Sequence, residues 1–469
     1  GDLHRHRAPL HVQSLAPLRG AERQLVRALT VVPAAAIILA NIIGTGVFVK
    51  ARVMTCNVGT PEMVLVVWLV AGLLTLTGAL IYAELGAMMP RCGGEYHFLN
   101  AAFGQRWAFL YGWTKTIALG ASAAAAAIIC VIFLNDITGG ALPPLAVTVL
   151  PAVIIIVGSA VNLASVRSGG NMATFLTSIK IGLVVLVGLG AFALGNGDLQ
   201  NFSLANQGGT CEGVPDSAKL GLSGFGAAML GALWGYNGWA IIAALGGEIK
   251  NPGRTLPRAL IGGTLAVIAL YMMVNAAYFY VLSPTEVASV PESSSVAGEV
   301  AQRVFGPTIA GVMATGLMLS AYGTLHTTLL TGARVPFALA RDKLLPAPMA
   351  RLSSTNVPAT AIVIVGAWSI VLAVTGTFDI LTDIYIFVLW VFFAMNGLAL
   401  FVLRRRDPDA ERPYRAWGYP VVPALFLLVA VYLLVNTLVA MPLRALAGIV
   451  LVISGLPVYA YFHGRARGS

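Results

Sequence analysis

Apolar runs long enough to cross a bilayer follow one another along almost the whole chain. Twelve of them lie near residues 28–49, 62–88, 104–134, 145–165, 171–194, 222–247, 258–282, 306–340, 358–376, 380–403, 419–441 and 444–463. A helix needs about 20 apolar residues to span the hydrocarbon core. Each run therefore predicts a spanning helix, and the expected fold class is an all-α integral membrane protein with twelve transmembrane helices. The third and eighth runs exceed that need and are expected to tilt or project beyond the membrane. Two loops are long: residues 195–221, rich in Gly, Asn and Ser, and residues 283–304, where Ser293-Ser294-Ser295 precedes a candidate short surface helix.

Two runs are interrupted by glycine in the same way. The first reads Ala40-Asn41-Ile42-Ile43-Gly44-Thr45-Gly46-Val47-Phe48, the second Leu233-Trp234-Gly235-Tyr236-Asn237-Gly238-Trp239. A helix broken at membrane depth bares N–H and C=O groups that lipid cannot satisfy, so it persists only where it lines a protein cavity. A matched pair, one in each half of a chain, points to the substrate site of a secondary transporter. The breaks begin two five-helix blocks, residues 28–194 and 222–403, joined by an outer loop at 195–221. An odd number of spans per block makes the blocks insert in opposite orientations. The layout predicts a 5+5 inverted repeat with helices 1 and 6 discontinuous, then two C-terminal helices in 404–463. Residues 1–27 and 464–469 are read as tails.

Composition supports the membrane reading. The chain is 469 residues long, 58% hydrophobic and 10% charged, with mean hydropathy +0.84. Soluble domains carry roughly 25% charged residues, so this chain cannot coat a soluble globule of its size. The net charge of +10 would suit nucleic acid only as a patch on a soluble fold. Here the basic residues cluster in the first tail (Arg5, Arg7, Arg19, Arg23, Arg27) and in the loops Arg91–Arg106, Lys250–Arg258, Arg334–Arg351 and Arg404–Arg415. All of these fall on one side of the alternating spans, whereas the loops near 136–144 and 376–380 hold no Lys or Arg. The positive-inside rule then places both termini in the cytoplasm, in a cell (inner) membrane, with the lipid bilayer and no nucleic acid as partner. Lys50, Arg52, Lys219, Arg303 and Arg444 stand as exceptions. The first 27 residues contain no apolar run of signal-peptide kind, so the first span is expected to direct insertion.

The chemistry of the breaks follows from the backbone. Carbonyls freed at the end of one half-helix carry partial negative charge, and amides at the start of the next carry partial positive charge. Two facing breaks offer enough groups to hold the zwitterionic head of an α-amino acid without a charged side chain. The same glycines would also serve close helix packing. Trp234 and Tyr236 flank the second break, where an aromatic ring acts as a gate over substrate or as packing. Lys180 lies deep in the fifth span, where a cation is costly and marks a functional site; snorkelling to an interface is the alternative. A fixed cation there would replace a coupling Na⁺ or carry a proton. Lys115, nearer a helix end, is read as snorkelling. Tyr271 and Asn275 share a face of the seventh span. Ser320, Thr324, Thr327 and Thr328 run along the eighth with His326 among them; such hydroxyls line a path or bond back to their own helix. Cys56 and Cys211 both fall in outer loops and either pair there or stay as free thiols; Cys130 is in a span and Cys92 on the cytoplasmic side. No nucleotide loop, metal spacing or catalytic constellation is visible, so neither an enzyme nor an ATP-driven pump is expected, and no cofactor.

These residues resemble the amino acid–polyamine–organocation superfamily, and within it the L-type amino acid transporter-like branch. The resemblance runs from about residue 28 to the C-terminus. It is carried by Gly44-Thr45-Gly46-Val47-Phe48, by Tyr82-Ala83-Glu84-Leu85-Gly86 followed by Gly93-Gly94-Glu95-Tyr96, by Glu248-Ile249-Lys250-Asn251-Pro252 with Pro257, and by Glu411-Arg412-Pro413-Tyr414-Arg415. It implies a Na⁺-independent carrier of L-amino acids working by alternating access. It places amino- and carboxyl-binding backbone at Ile42, Ile43, Gly44, Thr45 and Gly46 and at Trp234, Gly235 and Asn237. It further implies a gating role for Trp234, a lysine in place of an ion at Lys180, and the family's seventh-span tyrosine at Tyr271; Lys180 and Tyr271 are expected to hold the spans around the site and couple occupancy to gate movement. Animal members bind a heavy subunit through a cysteine in the loop between spans 3 and 4. Here that loop, Asn135–Pro144, has none, so no disulfide-linked heavy subunit is expected and a prokaryotic origin fits. Gly120-Ala121-Ser122-Ala123 in the third span are small where some relatives are bulkier or charged. That predicts a roomy side-chain pocket with Ser122 in it. The expected function is exchange or facilitated transport of neutral, sizeable L-amino acids. An H⁺-coupled symporter is the alternative, and a channel or membrane sensor a remoter one.

Overall fold

The computed structural model describes residues 29–89, 94–164, 169–240, 249–353 and 357–467. The N-terminal tail, Cys92, Gly93, the sixth run beyond residue 240 and Glu248 lie outside the described residues. The described chain is helical, and its one β-type contact is the isolated bridge Leu29–Ile249.

The first run forms two helices, α1 (Val31–Ile42) and α2 (Gly46–Val58), bent by 50° at the Gly44-Thr45 break. Then follow α3 (Pro61–Met88), the short α4 (Glu95–Phe103), α5 (Gln105–Ile137), α6 (Pro144–Ala164) and α7 (Gly169–Leu194). The second broken run gives α8 (Gly221–Gly235) and a turn through residue 240. The remaining helices are α9 (Pro252–Val281), α10 (Pro284–Ser289), α11 (Val296–Gly332), α12 (Arg334–Arg341), α13 (Ala359–Thr375), α14 (Phe378–Arg406), α15 (Val421–Ala440), α16 (Pro442–Ile453) and α17 (Gly455–Arg467). Among the described residues, eight stretches are long and apolar enough to cross a membrane, and α1 with α2 make a bent ninth; Ser178–Leu194 and Ala359–Thr375 are shorter apolar helices. Every predicted run overlies a helix. The first run ends later than its hydropathy suggested, because Lys50 and Arg52 are buried in α2 rather than marking its end.

Local signals explain several boundaries. Thr60 caps α3 by accepting from the Met63 amide, with Pro61 at the first helical position. Ser283 and Glu286 form a reciprocal capping box on α10. The serine run ahead of α11 works as anticipated: Ser295 accepts from the Gly298 amide at 2.9 Å. Gly306 then takes φ +78°, turning the surface piece of α11 into its membrane piece. Asp379 in the first turn and Arg404, Arg405 and Arg406 in the last turn of α14 complement its dipole.

The outer helices display large apolar side chains, including Val149, Val153, Ile156 and Val157 of α6 and Leu425, Leu428, Val431 and Val435 of α15. Stripes of this size are stable against lipid rather than water. The core sits between the broken helices and α3, α9 and α14, where Trp68, Tyr82, Tyr236, Trp239, Tyr271 and Trp390 are buried. Two ends of the bundle can be told apart. One carries a disulfide between Cys56 and Cys211, with Cα atoms 5.6 Å apart. The other carries Glu84, fully buried on α3, held by Arg404 at 2.6 and 2.8 Å, by Arg412 at 3.5 Å, and by the Ala416 amide at 2.6 Å.

Candidate functional site

The two breaks meet. A Cβ on Gly46 would stand 2.7 Å from Cδ1 of Trp234 and 3.1 Å from Cα of Gly235. On the other side, Gly238 has φ +117°, and a Cβ there would stand 2.4 Å from the Asn41 carbonyl oxygen. The contact is reciprocal: the glycine following each break presses on the residues that end the helix entering the other. Only glycine permits both approaches. Gly44 differs from Gly46. Its nearest neighbour would be the Ile42 carbonyl at 3.6 Å, so its Cβ direction is open.

Tyr271 of α9 joins the breaks. Its buried hydroxyl lies 3.0 Å from the Ile42 carbonyl and 2.8 Å from the Gly235 carbonyl. Its ring is fixed by Trp68 and Tyr236, each with centroids 5.1 Å away. A hydroxyl has one proton, so the two carbonyls share it, and each keeps a lone pair for another donor. Among the described residues no backbone carbonyl accepts from the amides of Gly44, Thr45 or Gly46. The Gly44 amide meets the Tyr271 hydroxyl instead; those of Thr45 and Gly46 open the N-terminus of α2, where a carboxylate is favoured by both the N–H groups and the helix dipole. Carbonyls that attract an ammonium thus lie beside amides that attract a carboxylate.

Trp234 is half-buried, its ring edge-on to Phe378 at 6.0 Å and Tyr385 at 5.3 Å. Asn237 reaches the Tyr385 hydroxyl in a long 3.5 Å contact. Tyr236 packs inward against Trp68 and Tyr271 and does not face Trp234's neighbours. Lys180 is buried on α7, with Nζ 3.4 Å from Thr324 Oγ1 of α11. Among the described residues no hydrogen bond or ion pair links it to either break. Asn275 is buried and bonds back to Tyr271's carbonyl at 2.8 Å. Thr327 likewise bonds back to Gly323, and the Asn162 amide reaches the His326 carbonyl at 3.1 Å.

Two expectations are corrected. The volume at Gly120 is not free: a Cβ there would lie 2.4 Å from Cδ1 of Trp368, whose indole also reaches the Ile117 carbonyl. The small residue makes room for a tryptophan from α13, not for a substrate. Ser122 is half-buried on another face of α5. Lys115 lies seven residues from Ser122, hence on that same face. It is half-buried, with its ammonium 5.9 Å from the Tyr111 ring and Tyr385 and Glu95 as electrostatic neighbours, and so does not snorkel to lipid headgroups.

The sequence reading missed a charge network at the disulfide end. Lys50 Nζ lies 2.6 Å from Asp379, 2.7 Å from Thr382 and 3.9 Å from Asp383. Arg52 binds Asp379 at 2.6 Å and the Glu212 carbonyl at 2.7 Å, with Glu292 at 3.9 Å. Arg444 pairs with Asp383. Burial and the nearby Asp379 hold the Glu292 carboxyl above the usual carboxylate range, against the pull of Arg52. The other two charge exceptions are also paired, Lys219 with Asp216 and Arg303 with Glu286. All five basic residues that broke the charge asymmetry therefore have acidic partners. The available signal was Asp379 and Asp383, one turn apart at the start of a span and on the same side as Lys50 and Arg52.

The amino acid permease family model matches residues 29–458. The chain is 32% identical to the serine/threonine exchanger SteT of Bacillus subtilis over 90% of this chain and 94% of that one. It is 30% identical to the b(0,+)-type amino acid transporter 1 of Mus musculus, covering 91% and 86%. It is 28% identical to the human cystine/glutamate transporter, covering 94% and 86%.

Proposed function

The chain belongs to the amino acid permease family, in the L-type amino acid transporter-like branch of the amino acid–polyamine–organocation superfamily, and on that premise we propose that it exchanges neutral L-amino acids across a cell membrane without Na⁺. Transport proceeds by alternating access in a twelve-span, 5+5 inverted-repeat architecture. The disulfide end faces outward and the Glu84–Arg404 end faces the cytoplasm, with both termini.

The observation that carries this reading is the Tyr271 hydroxyl bridging the Ile42 and Gly235 carbonyls, with the Gly44 amide against that hydroxyl and the amides of Thr45 and Gly46 without a backbone acceptor among the described residues. The α-ammonium binds the carbonyls of Ile42, Ile43 and Gly235, and the α-carboxylate binds the α2 amides. The open Cβ direction of Gly44 is room for that head group. Asn237 and Ser122 border the side-chain space. Trp234, between Gly46 and the Phe378–Tyr385 pair, closes over bound substrate from the outer side. Lys180 supplies a fixed positive charge between α7 and α11 and couples occupancy to their movement. The reciprocal packing of the breaks supports the inverted repeat. The name of the Bacillus relative supports exchange of small hydroxylated amino acids, whereas the human relative carries an acidic one, so the side chain accepted is a matter for measurement.

The test is counterflow. Purified protein in liposomes is loaded with unlabelled L-threonine and given labelled L-threonine outside in Na⁺-free buffer, against neutral, acidic and basic competitors. Accumulation that requires internal amino acid and resists Na⁺ removal is expected. Uptake driven by a pH gradient alone would replace exchange with symport, and non-saturable flux would replace it with a channel.

A further inference from the structure

The charge network lies one layer beyond the candidate site on the way out. Trp234 rests on Gly46 and against Phe378, and the Lys50 ammonium sits 5.0 Å above the Phe378 ring. Lys50 is one turn along α2 from Gly46. Its charges are sorted by helix. Lys50 and Arg52 belong to α2, whereas Asp379 and Asp383 belong to α14, and all four are at least nine-tenths buried. Parting α2 from α14 therefore produces one positive wall and one negative wall. Buried charges left without partners are far more costly than paired ones. Whatever opens this end must replace both signs together. An α-amino acid is a small solute that supplies both, a carboxylate and an ammonium on one carbon.

Resting on the transport reading above, we infer that this network is an outer amino acid site: an arriving zwitterion replaces the intramolecular pairs, its carboxylate taken by Lys50 and Arg52 and its ammonium by Asp379 and Asp383. The substrate thereby opens the outer end itself, and passes from charged side chains to the neutral backbone groups of the breaks. The barrier is also a recognition step, and it favours zwitterions over amines or carboxylates alone. Arg444 on Asp383 and Glu292 near Arg52 keep the outermost charges compensated while the exchange occurs.

The experiment uses the full chain in right-side-out and inside-out membrane vesicles, with labelled L-threonine as probe. Lys50→Met combined with Asp379→Asn removes one charge of each sign and keeps the net charge. The ratio of outer to inner KM is expected to rise at least fivefold. A ratio that is unchanged or falls overturns the inference, because a latch without recognition would ease opening and improve outer access. If the paired variant does not elute as folded protein, Arg52→Gln is measured in the same way, with at least a twofold rise expected and an unchanged ratio overturning the idea. The unaltered chain separates the two readings. Absent counterflow there with threonine and with every other amino acid of the competitor panel removes the transport proposal and this one with it. Counterflow that is present, with an unchanged ratio in the variant, removes only this one.

Discussion

Gly46→Ala and Gly44→Ala probe two glycines two residues apart with opposite expectations. At Gly46 the added methyl would lie 2.7 Å from Trp234 Cδ1 and 3.1 and 3.2 Å from the Gly235 backbone. Trp234 can yield only by leaving its contacts with Phe378 and Tyr385. Gly235 cannot yield without moving its carbonyl off Tyr271. Overpacking of this kind costs about 1–3 kcal/mol. At about 1.4 kcal/mol per decade, the closed arrangement loses about 5- to 150-fold in population. At Gly44 the nearest atom would be 3.6 Å away, an ordinary contact, and its φ lies outside the left-handed region that favours glycine. Stability should stay within about 0.5 kcal/mol, while the methyl stands where the head group is proposed to lie. Thermal unfolding in detergent and threonine counterflow measure both. Gly46→Ala should lower the midpoint and the maximal rate; Gly44→Ala should keep the midpoint and raise KM. Equal destabilisation by the two, or normal rate and midpoint in Gly46→Ala, would refute the packing argument.

Tyr271→Phe takes the hydroxyl from two buried carbonyls, at a cost of about 1–3 kcal/mol in stability; the transport rate of the folded variant is expected to fall as well, and a normal counterflow rate would rule out the bridge as a functional element. Lys180→Ala is expected to abolish or uncouple transport while elution and unfolding stay normal, and wild-type uptake by the folded variant would end its proposed role. Alkylation of unfolded protein followed by mass measurement should label two more cysteines after reduction than before, since Cys56 and Cys211 are joined and Cys130 is free; an equal count would show two free thiols.

The spans and their breaks were legible because hydrophobic length and glycine are local properties. The motifs of the resemblance were legible as letters but not as contacts. Glu84 of the Tyr82–Gly86 stretch and Arg412 of the Glu411–Arg415 stretch turn out to grip each other at the end opposite the disulfide, together with Arg404. Glu95 receives the hydroxyls of Tyr82 and Tyr111. These motifs build the frame and not the proposed site. Gly120 was misread because a missing side chain in sequence is room for something, and only the fold says that Trp368, from 248 positions away, takes it. The pairing in the charge network was missed for the same reason, although the Asp379 and Asp383 spacing hinted at it. Lys50 and Asp379 are 329 residues apart, and each alone looks like a loop charge.

The Tyr271 bridge bears on why such a protein would exchange and not leak. One hydroxyl proton divided between two carbonyls is a weak substitute for an ammonium, which carries three protons and a charge. It is nevertheless enough to keep the carbonyls of Ile42 and Gly235 satisfied, and the breaks together, when no amino acid is bound. In that state the Gly44 amide still meets the Tyr271 hydroxyl and the Lys50–Asp379 pair remains closed. Reorientation of the empty carrier would have to move α2 away from both at once, with nothing to replace either set of partners. On the proposed binding mode a bound amino acid supplies both replacements. The two features proposed to recognise the head group would then also hold the empty carrier still, and obligatory exchange would follow from their being shared between the two jobs.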